Sequence, residues 1–242
     1  MQILRKASEV TPDDLAGLYA HPVPDEPRRA WVRANMIASV DGGAGLEGRS
    51  GELGGDGDRQ IFALLRSLAD VVVVGAHTAT TEGYGQPDGP VLALVSRSLN
   101  IPDDYTPAAD AGTVVFTCTG APADRRAALS AAGATLVDCG TDTVDPAALV
   151  VACVARGWRR VLLEGGPRLL GSFVDAGALD ELCLTTAPVL LGGDAVRPVV
   201  GAREAMRSMS RAHLLADEEG YTYARWVRSP DDSHHDSPDT SG

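Results

Sequence analysis

The chain reads as an α/β fold: a mainly parallel central sheet with helices on both faces and an antiparallel hairpin at one edge. Three observations carry that reading. Strand-like and helix-like patterns alternate from residue 31 to residue 188, the order that builds parallel sheets. Four consecutive valines, Val71 to Val74, suit a strand buried on both faces. Near the end, 213–216 and 221–227 bracket Asp217-Glu218-Glu219-Gly220, a hairpin with a glycine in its turn.

Each element has its own signal. Thr11-Pro12-Asp13-Asp14-Leu15 gives an N-cap, a first-turn proline and two acids, so a short helix runs to about residue 20. Residues 21–29 are proline-rich and read as an extended linker. Residues 31–39 read as a strand. In 56–68, Ile61, Leu64, Leu65 and Leu68 share one helical face. Strands follow at 70–75, 91–96 and 113–117. A helix at 123–132 is closed by Gly133, and a short strand covers 134–137. A helix at 145–156 ends before Gly157, and 160–163 is a strand. Another helix ends near Gly177, and 179–188 is a strand. The organisation expected is an N-terminal extension, 1–30, one domain, 31–228, and a polar disordered tail, 229–242.

The formal net charge of −12 and the absence of a basic run argue against nucleic acid and anionic membranes as partners. No apolar run approaches the roughly 20 residues of a membrane helix, and the first residues lack the apolar core of a signal peptide. Cys118, Cys139, Cys153 and Cys183 are widely spaced without a CxxC pair, and the five histidines have no ligand spacing. No metal site or disulfide framework is expected, and reduced thiols in the cytoplasm are the default.

Four segments point to chemistry. Val161-Leu162-Leu163-Glu164-Gly165-Gly166-Pro167 is a strand, an acid, a glycine turn and the first turn of a helix. Such a junction offers unpaired N–H groups and the positive end of a helix dipole to a phosphate. Arg33 to Gly43 runs a strand into an Asp-Gly turn, and residues 42–57 contain eight glycines. So long a loop inside a compact domain is usually functional; a mobile surface hairpin is the plainer alternative. Val74-Gly75-Ala76-His77-Thr78 sets a hydroxyl just past a strand, where it can cap a helix or meet a phosphate. Val95-Ser96-Arg97 puts a cation past another strand end, solvated or reserved for a 2′-phosphate. None of the four alone is a dinucleotide fingerprint; their order is the argument.

That order resembles the reductase domain of riboflavin biosynthesis, which shares its fold with dihydrofolate reductase. The matching residues are Ala38-Ser39-Val40-Asp41-Gly42, Ser50-Gly51, Leu64-Leu65-Arg66, Val74 to Thr78, Glu164-Gly165-Gly166, Asp180-Glu181-Leu182 and Ala187 to Gly193. The resemblance implies a dihydrofolate reductase-like fold and NADPH-dependent reduction of a phosphoribosylamino-pyrimidine, whose open-chain imine becomes a ribityl amine. It implies a small-molecule partner and a homodimer. By the same resemblance Ala38, Gly75, Thr78, Ser96 and the turn Gly165, Gly166, Pro167 and Leu169 touch NADPH. Arg97 is added for the 2′-phosphate. Asn35, Ser50, Arg66 and Glu164 face substrate, with Arg66 and Glu164 on opposite sides of it. Asp41, where the first strand meets the nicotinamide, is the catalytic candidate. Arg66→Ala and Glu164→Gln are then expected to spare the melting temperature, and Gly166→Val to block pyrophosphate in a folded protein.

The sequence departs from the family where Asn35 replaces a lysine and Glu52-Leu53-Gly54-Gly55 lacks an aromatic residue. It also has no His-x-Glu or Pro-Cys-x-x-Cys pair of a zinc deaminase. A divergent reductase of dihydrofolate or a dihydropterin is the alternative within the class. A non-catalytic NADPH-binding protein is the alternative outside it. A sugar-nucleotide or phosphate transferase would fit the glycine junction alone.

Overall fold

The computed structural model describes residues 5–6, 10–22, 29–46 and 48–229. Most of the 21–29 linker and all but the first residue of the 229–242 tail therefore lie outside the described residues. Ser229 itself is tied down, its N–H donating to the Ser208 carbonyl at 3.1 Å.

Ten strands form one sheet: β1 (Arg5–Lys6), β2 (Trp31–Ser39), β3 (Val71–Gly75), β4 (Val91–Val95), β5 (Thr113–Thr117), β6 (Thr135–Asp138), β7 (Arg160–Leu163), β8 (Glu181–Ala187), β9 (Met209–Ala216) and β10 (Thr222–Arg228). Their order is β1-β9-β10-β8-β2-β7-β3-β4-β5-β6. From β8 to β6 every pairing is parallel; β10 is antiparallel to both β8 and β9, the expected hairpin. β9 starts at Met209, four residues before the sequence reading. The exposed polar residues Ser210 and Arg211 hide a strand whose first half buries little.

Among the described residues six helices cover the sheet: α1 (Pro12–Leu18), α2 (Asp56–Ser67), α3 (Ala76–Glu82), α4 (Ala123–Ala131), α5 (Pro146–Ala155) and α6 (Pro167–Asp175). Period two along the strands sorts side chains onto two cores. Val72, Val74, Leu92, Leu94 and Leu162 pack with Leu15, Ile61, Leu65, Ala79 and Leu129, so α1 to α4 share one face. Val71, Val73, Ala93, Val161 and Leu163 pack with Leu149, Cys153, Leu170 and Phe173, so α5 and α6 cover the other. α3 was not apparent in the sequence: it has seven residues, three of them threonine, a poor helix former.

The N-terminal extension is not separate from the domain. Leu15 and Tyr19, one helical turn apart, are core residues, and Arg225 of β10 donates to the carbonyls of Leu18 (2.5 Å) and Ala20 (3.3 Å). α1 keeps the predicted N-cap, Thr11, which forms a capping box with Asp14.

Several glycines of 42–57 serve close packing, while a Cβ on Gly42 or Gly48 would meet nothing within 4 Å. A Cβ on Gly43 would lie 2.8 Å from the Ala195 Cβ, and one on Gly55 2.9 Å from the Tyr221 ring. One on Gly57 would run into the Tyr223 hydroxyl. The segment is pressed between the β9–β10 hairpin and the loop after β8, and includes a 3₁₀ turn at Gly51–Leu53. The four cysteines are buried free thiols.

Candidate active site

The connections β2 to β3 and onward to β6 run over the α1–α4 face. The return from β6 through α5 to β7, and through α6 to β8, runs over the other. The crossovers change direction around β2, β7 and β3, and ligands of open α/β sheets bind outside the carboxyl ends of strands at such a point.

The phosphate-type turn is built there by two strands. The Gly75 N–H at the end of β3 donates to the Gly165 carbonyl after β7, at 2.8 Å. Gly165 has φ +86°, a conformation that favours glycine, and the Gly165–Gly166 peptide is cis. A Cβ on Gly166 would lie 2.5 Å from the Thr78 Oγ1. Gly75, Thr78, Gly165 and Gly166 thus meet, with the N-termini of α3 and α6 beside them. Pro167 fills the first position of α6, where no N–H is needed. Leu169 is partly buried and packs its side chain against the α5–α6 core. Ser96 ends β4 with its N–H on the Phe116 carbonyl (3.0 Å). Arg97 is exposed, with no ion pair to its guanidinium among the described residues. Ala38 is buried in β2, in register with Thr186 of β8. A glycine turn open to close approach, a hydroxyl, a helix N-terminus and an unspent cation are a donor set that fits a dinucleotide phosphate.

Arg66 and Glu164 do not stand apart. Arg66 Nε and Nη2 donate to Glu164 Oε1 and Oε2 at 2.8 and 2.7 Å, a bidentate pair. The Glu164 side chain is 1% exposed and that of Arg66 22%. The guanidinium lies 4.1 Å from the Phe62 ring centroid and 5.1 Å from that of Tyr84. Burial, then the Glu164 charge and a hydrogen bond to it, push the Tyr84 phenol well above its usual pKa. The sequence placed the two charged groups on opposite sides of a ligand; the fold spends them on each other.

Asp41 is exposed in the turn after β2. Its Oδ1 accepts from Ser39 Oγ (2.5 Å) and the Leu191 N–H (3.1 Å), its Oδ2 from the Gly192 N–H (2.7 Å). The Ser39 hydroxyl and the two backbone donors hold its pKa down to about 2. These contacts tie the β2 turn to the loop after β8, supported by Val40 N–H to Val189 O (2.9 Å) and Ala44 N–H to Val196 O (2.7 Å). Ser50 is tied to α3: its N–H and Oγ donate to Glu82 Oε1 at 2.7 and 3.1 Å. Asn35 lies in the middle of β2, and its Oδ1 is buried without a hydrogen-bond partner.

The sequence reading did not single out Asp58, Phe62, Glu82, Tyr84 or Thr185. Asp58 and Phe62 were within reach of it, standing eight and four residues before Arg66 on a helix already recognised. Tyr84 and Thr185 had no local signal.

A mainly parallel sheet with a glycine turn at its switch point, beside a buried ion pair, is the frame of an α/β oxidoreductase. The RibD C-terminal domain family matches residues 30–223, and the chain belongs to it. The chain is 29% identical over 204 residues to the 2,5-diamino-6-ribosylamino-4(3H)-pyrimidinone 5′-phosphate reductase of Methanothermobacter thermautotrophicus, covering 80% of this chain and 94% of that one. It is also 29% identical to the riboflavin biosynthesis protein RibD of Bacillus amyloliquefaciens, over 74% of this chain and 51% of that protein. Among solved structures, a pyrimidine reductase-like protein of Corynebacterium diphtheriae superposes with TM-score 0.77 at 25% identity. That match covers 90% of this chain and 99% of its counterpart.

Proposed function

We propose that the protein reduces the ribose of a phosphoribosylamino-pyrimidine with NADPH in riboflavin biosynthesis. The substrate is 5-amino-6-(5-phosphoribosylamino)uracil or its 2,5-diamino pyrimidinone analogue. The observation that carries this reading is the continuity of Glu164 with Gly165-Gly166. One short segment supplies both the phosphate turn and the anchor of Arg66, so a nucleotide on the turn and a substrate at Arg66 are neighbours. NADPH, when bound, supplies the hydride. The imine carbon of the open-chain sugar takes it, and the imine nitrogen takes a proton, leaving the ribityl amine.

The protein supplies placement and charge. The α6 and α3 N-termini, Thr78 and the glycine turn hold the pyrophosphate, with Ser96 and Arg97 on the 2′-phosphate. Ala38 would back the nicotinamide. Arg66, fixed by Glu164 and packed on Phe62 and Tyr84, donates to the substrate from a preset position. Asp41, with both oxygens engaged, positions the rim and does not move protons. The test is loss of NADPH absorbance with a panel: the two phosphoribosylamino-pyrimidines, dihydrofolate and a dihydropterin. Oxidation by either pyrimidine is expected. Oxidation by the folate or pterin alone would move the substrate to that class; tight NADPH binding without turnover would leave a cofactor-binding protein. Arg97→Ala is expected to weaken NADPH by about 1.5–3 kcal/mol while sparing NADH; equal loss for both places the 2′-phosphate elsewhere.

A further inference from the structure

The crevice side of α2 carries Asp58, Phe62 and Arg66, spaced four residues apart and so stacked in one row. The row crosses three adjacent strands, β8, β2 and β7. At one end Arg66 lies on Phe62 and grips Glu164 after β7. At the other end the Asp58 carboxyl hydrogen-bonds with the buried Thr185 of β8. Between them runs β2. Ile37 is in register with Thr185, and Asn35 with Cys183, so Asn35 and Ile37 point to the α2 side. Ala34 is in register with Leu163, which sets Asn35 level with Glu164. A Cβ on Gly54 would lie 3.0 Å from Asp58 Oδ2, so the glycine leaves that edge of the carboxyl uncrowded.

This row has one donor end, Arg66, and two acceptors with capacity to spare. Asn35 Oδ1 is buried and unpartnered. Asp58 is partly buried and makes no ion pair among the described residues; its exposed neighbour Arg59 acts on it only through its charge, and burial raises its pKa. A buried acceptor without a partner is costly, and a ligand that brings donors removes that cost.

We propose that this row selects an amino-pyrimidinone over a dioxo-pyrimidine, with Asp58 accepting from the exocyclic amine and the adjacent ring N–H, and Asn35 Oδ1 from a further N–H. The assignment rests on the reductase reading above and chooses between its two substrates. A carbonyl in place of the amine sets oxygen against oxygen at Asp58, and sites built to bond a group discriminate strongly against analogues lacking it.

Two measurements test it. The first is kcat/KM for the 2,5-diamino and the 5-amino-uracil phosphoribosyl substrates, side by side. At least about tenfold preference for the diamino form is expected. Asp58→Asn and Asn35→Leu should erase most of it, chiefly through KM, with NADPH affinity unchanged; Asp58→Glu should restore part. Equal use of the two, or a preference that survives both substitutions, overturns the assignment. The second is calorimetric binding of the free bases, a 2,6-diaminopyrimidin-4-one and 6-aminouracil, to the NADPH-loaded protein. The diamino base should bind more tightly, and comparable affinities overturn the proposal whether or not turnover is seen. Absence of turnover with both phosphorylated substrates, with base selectivity intact, would instead overturn the reductase reading alone.

Discussion

At Glu164 a single carboxylate is nearly out of water, held by the Arg66 guanidinium and the Tyr84 hydroxyl. Removing Arg66 takes away its counter-charge, and breaking a buried pair costs about 3–5 kcal/mol. Arg66→Ala should therefore lower the melting temperature measurably, and the double substitution Arg66→Met with Glu164→Gln should recover much of the loss. An Arg66→Ala protein as stable as its parent would mean that water reaches Glu164 freely. The sequence led to the opposite expectation, because nothing local shows that residues 98 positions apart spend their hydrogen bonds on each other. Both residues were legible as site candidates, Arg66 by motif and Glu164 by its place before a glycine turn; their pairing was not. Asp41 was legible as a turn former too. Because its folded pKa is depressed to about 2, the tie to Leu191 and Gly192 is complete above the ordinary carboxylate range and is lost as pH falls through about 2. Asp41→Asn should speed hydrogen exchange at those two amides at neutral pH; unchanged protection would show the loop held by Val40 and Ala44 alone.

Among the elements, those with long periodic signals came through: β2, α2, the four-valine β3, the strand before the glycine turn and the terminal hairpin. α3 and the first half of β9 did not, because one is short and threonine-rich and the other is polar on its exposed side. The junction of α3 with α6 also changes what a substitution can report. A side chain at residue 166 meets the Thr78 hydroxyl before it meets any phosphate. Gly166→Val thus tests packing as much as binding. Gly166→Ala is expected to cost stability and NADPH affinity together, by about 1–3 kcal/mol as overpacking typically does, and Thr78→Ala added to it should return the stability. If the second substitution does not help, Thr78 is not what the new methyl group strikes. The glycines between residues 42 and 57 teach the same lesson. Their number was visible and read as a functional loop, with a mobile hairpin as the plainer alternative, but the tyrosines that Gly55 and Gly57 pack against lie about 165 residues further along.

For the molecule as a whole, the end of the sheet opposite the crevice is held by charge. Arg33 and Glu181, both 0% exposed, pair at 2.5 Å; Arg225 adds bonds to Glu181 at 2.9 and 3.0 Å, and Trp31 Nε1 donates to it at 2.9 Å. His21 and His213 lie beside this cluster, His213 edge-on to Tyr19 at 4.7 Å between ring centroids. Burial first, with Arg33 and Arg225 adding to it, pushes both imidazoles down to about 4. Each is neutral in the folded protein while the unfolded chain protonates near its ordinary value of 6.5. Stability should be full above that value and fall as pH drops from 6.5 toward 4. His213→Phe should flatten part of the slope in a pH series of melting temperatures; an equal slope in the variant would assign the effect elsewhere. The alternation of strands and helices announced the sheet, but not the neighbours of Arg33, whose counter-charge lies 148 residues downstream. That separation has a temporal side. On a ribosome adding roughly 5–20 residues per second, Arg33 emerges about 7–30 s before Glu181, and the carbonyls of Leu18 and Ala20 wait longer still for Arg225. Until then β2 carries a cation with nowhere to be buried, so the nascent chain cannot settle this end of the sheet early. Translation that stalls before β8 should release a product that proteases remove, whereas a complete chain closes its first helix and its last strand in the same step.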